Sequence, residues 1–248
     1  MSQIKEISWE NTPFDAVYCI HCVDEKYKCR EEPLLKELDR VGLLNFRRFS
    51  FYNVVPTPFD AALYYTNPRL MSDDRRYFNA DNISCGLAHY RLIKEALLVG
   101  HQRILILEDD VVFHKDLVRI QEIFDAMPEM DIILFDKIMG SDEQWFMAST
   151  NYRINKEYCY FVSAWLCSCY SLSKIGMRHI VNHQEMILHQ PDYYTSEVKE
   201  TINEQFKPSR AVSIENVCCQ RAFPRTSKPA YVYENTCDCD VDFRNYNF

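Results

Sequence analysis

The stretch Arg103-Ile104-Leu105-Ile106-Leu107-Glu108-Asp109-Asp110-Val111-Val112 constrains this chain more than any other. Four consecutive large aliphatics predict a strand buried on both faces, because no polar alternation leaves a face for water. That strand runs directly into three carboxylates. Adjacent anions at the edge of a core are costly unless water, a cation or hydrogen-bond donors compensate them. In open α/β sheets the carboxyl ends of strands form the ligand crevice, so Glu108, Asp109 and Asp110 sit where chemistry is usually done. A plainer reading is a solvated loop, with Asp109 or Asp110 capping a following helix.

Composition bounds what such a strand can belong to. A chain of 248 residues, 47% hydrophobic, can bury one large core, and its few glycines and prolines leave no low-complexity segment. The formal charge of −8 argues against a general nucleic-acid binder, since no basic stripe offsets it. It also argues against electrostatic docking on anionic lipid, although one local basic patch could still dock. Met1 to Glu6 lacks the basic and apolar regions of a signal peptide, and no apolar run approaches the ~20 residues that span a bilayer. Eleven cysteines, an odd number, cannot all pair internally. Cys19 and Cys22 with Cys29, Cys167 with Cys169, Cys218 with Cys219, and Cys237 with Cys239 resemble zinc pairs in spacing alone. Cys19 and Cys167 fall in apolar runs, where cysteine is commonly a small buried hydrophobe. The expected compartment is the reducing cytoplasm, with a peripheral place at the inner face of a membrane left open.

In chain order, Phe14 to Ile20 reads as a strand behind Pro13, followed by the polar turn His21 to Arg30. Leu34, Leu35, Leu38 and Val41 then give a helix one apolar face, which Gly42 ends. Phe46 to Val55 is a second strand candidate. Strand, helix, strand in that order opens a parallel, doubly wound sheet. Pro56 to Asp81 has no clean period and reads as an insertion beside a cleft. Asn82 to Leu98 is a helix with Ile83, Leu87, Tyr90, Ile93 and Leu97 on one face, and it feeds into the strand before the acids. His89 lies on its flank, where a packed, hydrogen-bonded histidine is commoner than a ligand. A helix from His114 to Met127, a strand from Asp131 to Asp136 and an irregular run from Ser141 to Glu157 follow. Phe161 to Leu172 reads as a long strand, after which Ser173 caps a helix carrying Ile175, Met177, Ile180 and Val181. Asp192 follows a turn at Pro191, Val198 to Phe206 reads as a short helix, and Ala211 to Val217 as a last strand. The tail from Pro224 has no period. With no linker and no repeat, residues 1–248 read as one domain, with 13–140 as a first half, 141–223 as a second and 224–248 as an irregular tail.

Asn82-Ile-Ser-Cys-Gly-Leu-Ala-His-Tyr90, then a helix, then Ile104-Leu-Ile-Leu-Glu-Asp-Asp-Val111 together resemble glycosyltransferase family 25. That family includes lipopolysaccharide-modifying glycosyltransferases and collagen galactosyltransferases. Its members carry Gly-Glu-x-Gly-Cys-x-x-Ser-His one helix before an Ile-Leu-Glu-Asp-Asp strand end. Cys85 and His89 match that element, while Asn82 stands in place of the acid and Ala88 in place of the serine. Tyr18 to Arg30 resembles the family's opening element, with His21 where asparagine would be. Ala164 to Val181, Pro191-Asp192 and Ser209 to Gln220 resemble its later segments.

The resemblance implies a GT-A-like α/β fold, a mostly parallel central sheet flanked by helices, and transfer of a sugar from a nucleotide diphosphate donor. The implied donor is a UDP-sugar, carrying galactose or another hexose, and the acceptor a glycan or glycoconjugate. The implied cofactor is Mn²⁺ or Mg²⁺, which prefer carboxylate oxygens and neutralise a diphosphate leaving group. On that basis Asp110 is the expected direct ligand, and Asp109 is placed on the donor ribose, the sugar or the metal. Glu108 is either a further ligand or a buried anchor. Arg30, Asn82 and His89 are candidates for donor contacts. An inverting transfer also needs a base on the acceptor hydroxyl; Asp192 matches the family's late acid, with Asp136 in reserve. Two other readings share the acids: a nucleotidyl- or phosphoryl-transfer enzyme, although no Gly-x-x-x-x-Gly-Lys-Ser/Thr loop is present, and a non-catalytic sugar- or nucleotide-binding protein of the same fold.

Overall fold

In the computed structural model, which describes residues 7–56, 80–113, 130–136, 158–160, 169–182 and 211–220, Ile104, Leu105, Ile106 and Leu107 are wholly buried. They form the middle of one sheet. In chain order the elements are β1 (Ala16–Cys22), α1 (Glu31–Arg40), β2 (Phe49–Val54), α2 (Ala80–Val99), β3 (Arg103–Glu108) and β4 (Val111–Phe113). Then come β5 (Ile132–Asp136), β6 (Tyr158–Tyr160), β7 (Cys169–Ser173), α3 (Lys174–Asn182) and β8 (Ala211–Gln220). Across the sheet the order is β2-β1-β3-β7-β5-β8-β4, with β6 also on β8. β1 is parallel to β2 and β3, and β5 to β8, while β7, β4 and β6 run against their neighbours. Thus β1, β2, β3, β5 and β8 share one direction. The sheet is mostly parallel and flanked by helices, the GT-A-like α/β architecture that the resemblance implies.

Strand alternation divides the core in two. Val17, Cys19, Leu105 and Leu107 pack with Leu34 and Leu38 of α1 on one face. Ala16, Ile20, Ile104 and Ile106 pack with Ala88, Leu92, Ile93 and Ala96 of α2 and Met177 and Ile180 of α3 on the other. Burying the four aliphatics of β3 alone contributes roughly 6–12 kcal/mol as an upper bound. β3 therefore has no freedom to shift, and the acids at its end inherit that rigidity.

The helix ends follow local chemistry. Glu31 and Glu32 occupy the first turn of α1 and Arg40 the last, complementing the helix dipole. Gly42 at φ +75° closes it, and the Trp9 indole N–H donates to the Val41 carbonyl at 2.6 Å. Gly100 at φ +94° ends α2. Ser173 Oγ accepts from the Gly176 N–H at 3.2 Å, the cap expected for α3.

Three expectations shift at their edges. Leu35 is more than a third exposed, and Glu37 takes the buried place beside Leu34 and Leu38. Its carboxylate is satisfied there by Arg40 and by the Phe113 N–H at 2.7 Å, so α1 grips the start of the chain beyond the acids. β2 begins only at Phe49, because Leu43–Asn45 forms a single 3₁₀ turn and Phe46 packs beneath Trp9. β8 runs on to Gln220, where it pairs with Val111. The helix expected over His114 to Met127, the runs 141–157 and 161–168, the region of Pro191-Asp192, the helix over Val198 to Phe206 and the tail lie outside the described residues.

Candidate active site

Parallel pairing sets Ile20 of β1 beside Glu108 of β3. The residues at and just past the two strand ends, His21-Cys22 and Asp109-Asp110, consequently meet at one edge of the sheet. The Cys22 N–H donates to Asp109 Oδ2 at 2.9 Å, and His21 Nδ1 lies 3.4 Å from the same oxygen. Arg30 Nη1 donates to Asp109 Oδ1 at 2.6 Å and lies 3.5 Å from Asp110 Oδ2. Arg30 reaches them from a 3₁₀ turn, Glu25–Arg30, which the Asp24 carboxylate caps, and its guanidinium rests over the Tyr27 ring.

Asp109 and Asp110 are both buried, at 5% and 4% exposure. Burial pushes Asp109 up, but His21, the Arg30 guanidinium and the Cys22 N–H outweigh it and hold its carboxyl below the usual carboxylate range. For Arg30, burial works against the charge, and Asp110, Asp109 and Glu108 more than restore it, raising its pKa. Both groups are therefore ionised across the physiological range.

The remaining acid is engaged from the other side. α2 presents Cys85 and His89 one turn apart, and His89 Nε2 lies 3.0 Å from Glu108 Oε1. Cys85 Sγ is 3.9 Å from the same oxygen. His89 is buried; its Nδ1 meets the Tyr170 hydroxyl of β7 at 2.6 Å, and the two rings stack. Glu108 is thus held by α2, whereas Asp109 and Asp110 are held by Arg30.

All three acids line one open cleft of about 230 Å³, together with Ile20, Cys22, Tyr27, Arg30, Val54, Pro56, Ser84 and Cys85. Among these described residues Arg30 is the one cation against three carboxylates. Such a gathering of carboxylate oxygens, on Asp109 and Asp110 above all, fits a hard divalent cation.

The structure brings together Arg30, His89, Glu108, Asp109 and Asp110. Asn82 lies in α2 and Asp136 at the end of β5, but their side chains are outside the described residues, as is Asp192 altogether. Ala88 is 2% exposed in the core under α2 and does not line the cleft, so the alanine in place of the family's serine is a packing residue. Sequence reasoning missed the Cys22 amide, Tyr27 and Tyr170. The adjacency of β1 and β3 would have suggested the amide; no local signal marks Tyr170.

A family model described as Glycosyltransferase family 25 (LPS biosynthesis protein) matches residues 65–195, just over half of the chain. No curated protein matches it. Three solved structures are similar in part. A glycosyltransferase involved in glycosylation of the major capsid of PBCV-1 is 11% identical, with a TM-score of 0.43, over 85% of this chain and 96% of that one. The mannosyltransferase PcManGT from Pyrobaculum calidifontis, in complex with GDP-Man and Mn²⁺, is 12% identical with a TM-score of 0.47, over 88% and 63%. Mouse xyloside xylosyltransferase 1, in its apo form, is 12% identical with a TM-score of 0.36, over 79% and 77%. With identities and scores this low, nothing about donor, metal or acceptor follows from them.

Proposed function

The chain belongs to glycosyltransferase family 25, and on that premise we propose that it transfers galactose or another hexose from a UDP-sugar to a glycan or glycoconjugate acceptor, with inversion. The observation that carries this reading is the buried Asp109-Asp110 pair at the carboxyl end of β3, in a cleft where Arg30 is the one cation among the described lining residues. Asp110 and Asp109 are assigned to hold Mn²⁺ or Mg²⁺, and Glu108, engaged by His89 and Cys85 of α2, stands outside that set. When bound, the ion supplies Lewis-acid neutralisation of the diphosphate leaving group.

The chain's own residues then divide the work. His21, the Cys22 amide and Arg30 fix Asp109 in one rotamer, which preorganises the acid pair before ligand arrives. Arg30, poised at the carboxylates, is assigned to donor phosphate, and Tyr27 supports its guanidinium. His89 is assigned a positioning role rather than the direct donor contact expected of it, because its two ring nitrogens are engaged by Tyr170 and Glu108. Asn82 is kept as a donor contact and Asp192 as the base that deprotonates the acceptor hydroxyl. The burial of Ala88 in the core favours this over a degenerate, sugar-binding protein, since that departure from the family pattern leaves the cleft untouched. No helix among the described residues is long and apolar enough to cross a membrane; the protein is proposed to act in the cytoplasm or peripherally at a membrane's inner face.

The decisive experiment measures UDP-sugar turnover in Mn²⁺ together with donor binding by calorimetry. Asp110→Asn is expected to lower turnover by about 100-fold or more. Asp192→Asn is expected to abolish transfer while leaving donor affinity within about threefold. Failure of every nucleotide sugar to bind in the presence of metal would sink the reading.

A further inference from the structure

We propose that Cys85, His89 and Glu108 form a second cation site, for a thiophilic divalent ion of the Zn²⁺ class, separate from the hard-cation site assigned to Asp109 and Asp110. One ligand atom from each residue lies within 4.8 Å of the other two. Cys85 and His89 stand at i and i+4 on α2, so a single helical face presents sulfur and nitrogen together. Glu108 closes the set from the end of β3.

The spacing suits a metal. Zinc bonds of about 2.0–2.3 Å in tetrahedral geometry separate neighbouring ligand atoms by roughly 3.3–3.8 Å. Two of the three separations, 3.0 Å for His89 Nε2 to Glu108 Oε1 and 3.9 Å for Cys85 Sγ to Glu108 Oε1, bracket that range, and the third is within 4.8 Å. Small side-chain adjustments would bring all three onto one ion.

The donor chemistry separates this site from its neighbour. Thiolate and imidazole select Zn²⁺ and related ions, whereas the carboxylates of Asp109 and Asp110 suit Mg²⁺ or Mn²⁺. A thiolate and a carboxylate also neutralise a divalent charge completely, which matters where His89 is 4% exposed. With Glu108 as a carboxylate, His89 Nε2–H and the Cys85 thiol are the donors to its Oε1, which leaves Nδ1 to accept the Tyr170 hydroxyl. On metal binding the imidazole proton moves to Nδ1, where the Tyr170 oxygen accepts it, and the thiol proton leaves to solvent. One ion thus enters for one proton released. Tyr170 accommodates either tautomer, the outer-shell partner that zinc histidines usually have. Cys85 and Glu108 both line the cleft, which provides the entry path and leaves a fourth position to water or ligand.

The test is titration of the metal-free, full-length protein with Co²⁺, followed by Zn²⁺ competition. One equivalent is expected to produce a thiolate-to-cobalt charge-transfer band that Zn²⁺ abolishes. Cys85→Ser should remove the band and weaken Zn²⁺ by more than about 100-fold, and Tyr170→Phe should weaken it by about tenfold. Asp110→Asn should leave both intact. In the unsubstituted protein, Zn²⁺ should also slow alkylation of Cys85, read by peptide mass spectrometry, which keeps the proposal testable if Cys85→Ser fails to fold. Absence of a thiolate band, its persistence in Cys85→Ser, its loss in Asp110→Asn, or alkylation of Cys85 unaffected by Zn²⁺ would each overturn it. No sugar donor enters these measurements, so they succeed or fail independently of the proposed transfer.

Discussion

Arg30 occupies, by its charge, the role at Asp109 and Asp110 that a metal ion is proposed to fill. Its guanidinium spans both carboxylates, and its side chain is 26% exposed against 5% for each acid. Removing one member of a buried ion pair leaves the other uncompensated, which typically costs about 3–5 kcal/mol; partial exposure of Arg30 lowers that to roughly 2–3 kcal/mol. Arg30→Met is therefore expected to melt early in metal-free buffer. Because Mn²⁺ would bind the freed acid pair, the ion should raise the melting temperature of the variant more than that of the parent. Equal shifts in a paired thermal scan would show that Arg30 and the cation do not compete for these carboxylates. Of these residues, the acids were legible because four aliphatics ending in three anions is an energetic anomaly on its face. Arg30 was legible only through the family resemblance. Tyr170 lies 81 positions from His89, and a contact made by strand pairing across that distance leaves no mark in local sequence.

Among the elements, runs of buried aliphatics announced β1, β3 and β5, and a helical apolar stripe announced α1, each with edges shifted by a few residues. The span of α2 was legible, but its inward face was not: of the expected stripe Ile93 is buried while Leu87, Tyr90 and Leu97 are half-buried, and Ser84, Ala88, His89, Leu92 and Ala96 turn inward instead. Strand order and direction were less legible. β7 lies between β3 and β5 and runs against both, and nothing in Cys-Tyr-Ser-Leu-Ser distinguishes that from a parallel strand. What fixes β7 in part is the turn into α3, whose Gly176 faces the first residues of β5. A Cβ at Gly176 would lie 2.6 Å from the Asp131 carbonyl oxygen, which already accepts the Ser173 N–H at 2.8 Å. Alanine gains about 1 kcal/mol of helix propensity over glycine. Pushing a helix off a backbone carbonyl costs about 1–3 kcal/mol, so close packing wins over propensity. Gly176→Ala should lower the urea midpoint, by up to about 2 kcal/mol of stability. A midpoint that rises by the full propensity gain would show that α3 is not seated against β5.

Across the whole molecule, the cleft lies over the parallel part of the sheet. Most of its lining comes from the carboxyl ends of three neighbouring co-directional strands: Ile20 and Cys22 from β1, Val54 and Pro56 from β2, and Glu108 to Asp110 from β3. Sheets built this way gather ligands at that edge. The proposed halves 13–140 and 141–223 share this one sheet, because β8 pairs with both β5 and β4 from the earlier half. We therefore expect one cooperative unfolding transition, with ligand at the β1–β3 edge stabilising the whole. A UDP-sugar with Mn²⁺ at about 100 times its dissociation constant adds about 2.7 kcal/mol. At roughly 2–4 °C per kcal/mol for a chain of this size, the melting temperature should rise by about 5–10 °C. The nucleotide sugar without metal should give a smaller shift, since the carboxylates of Glu108, Asp109 and Asp110 then oppose the diphosphate. Asp110→Asn should erase the difference between the two conditions. A shift independent of Mn²⁺ in the unsubstituted protein would place the diphosphate on Arg30 alone and remove the cation from the proposed site.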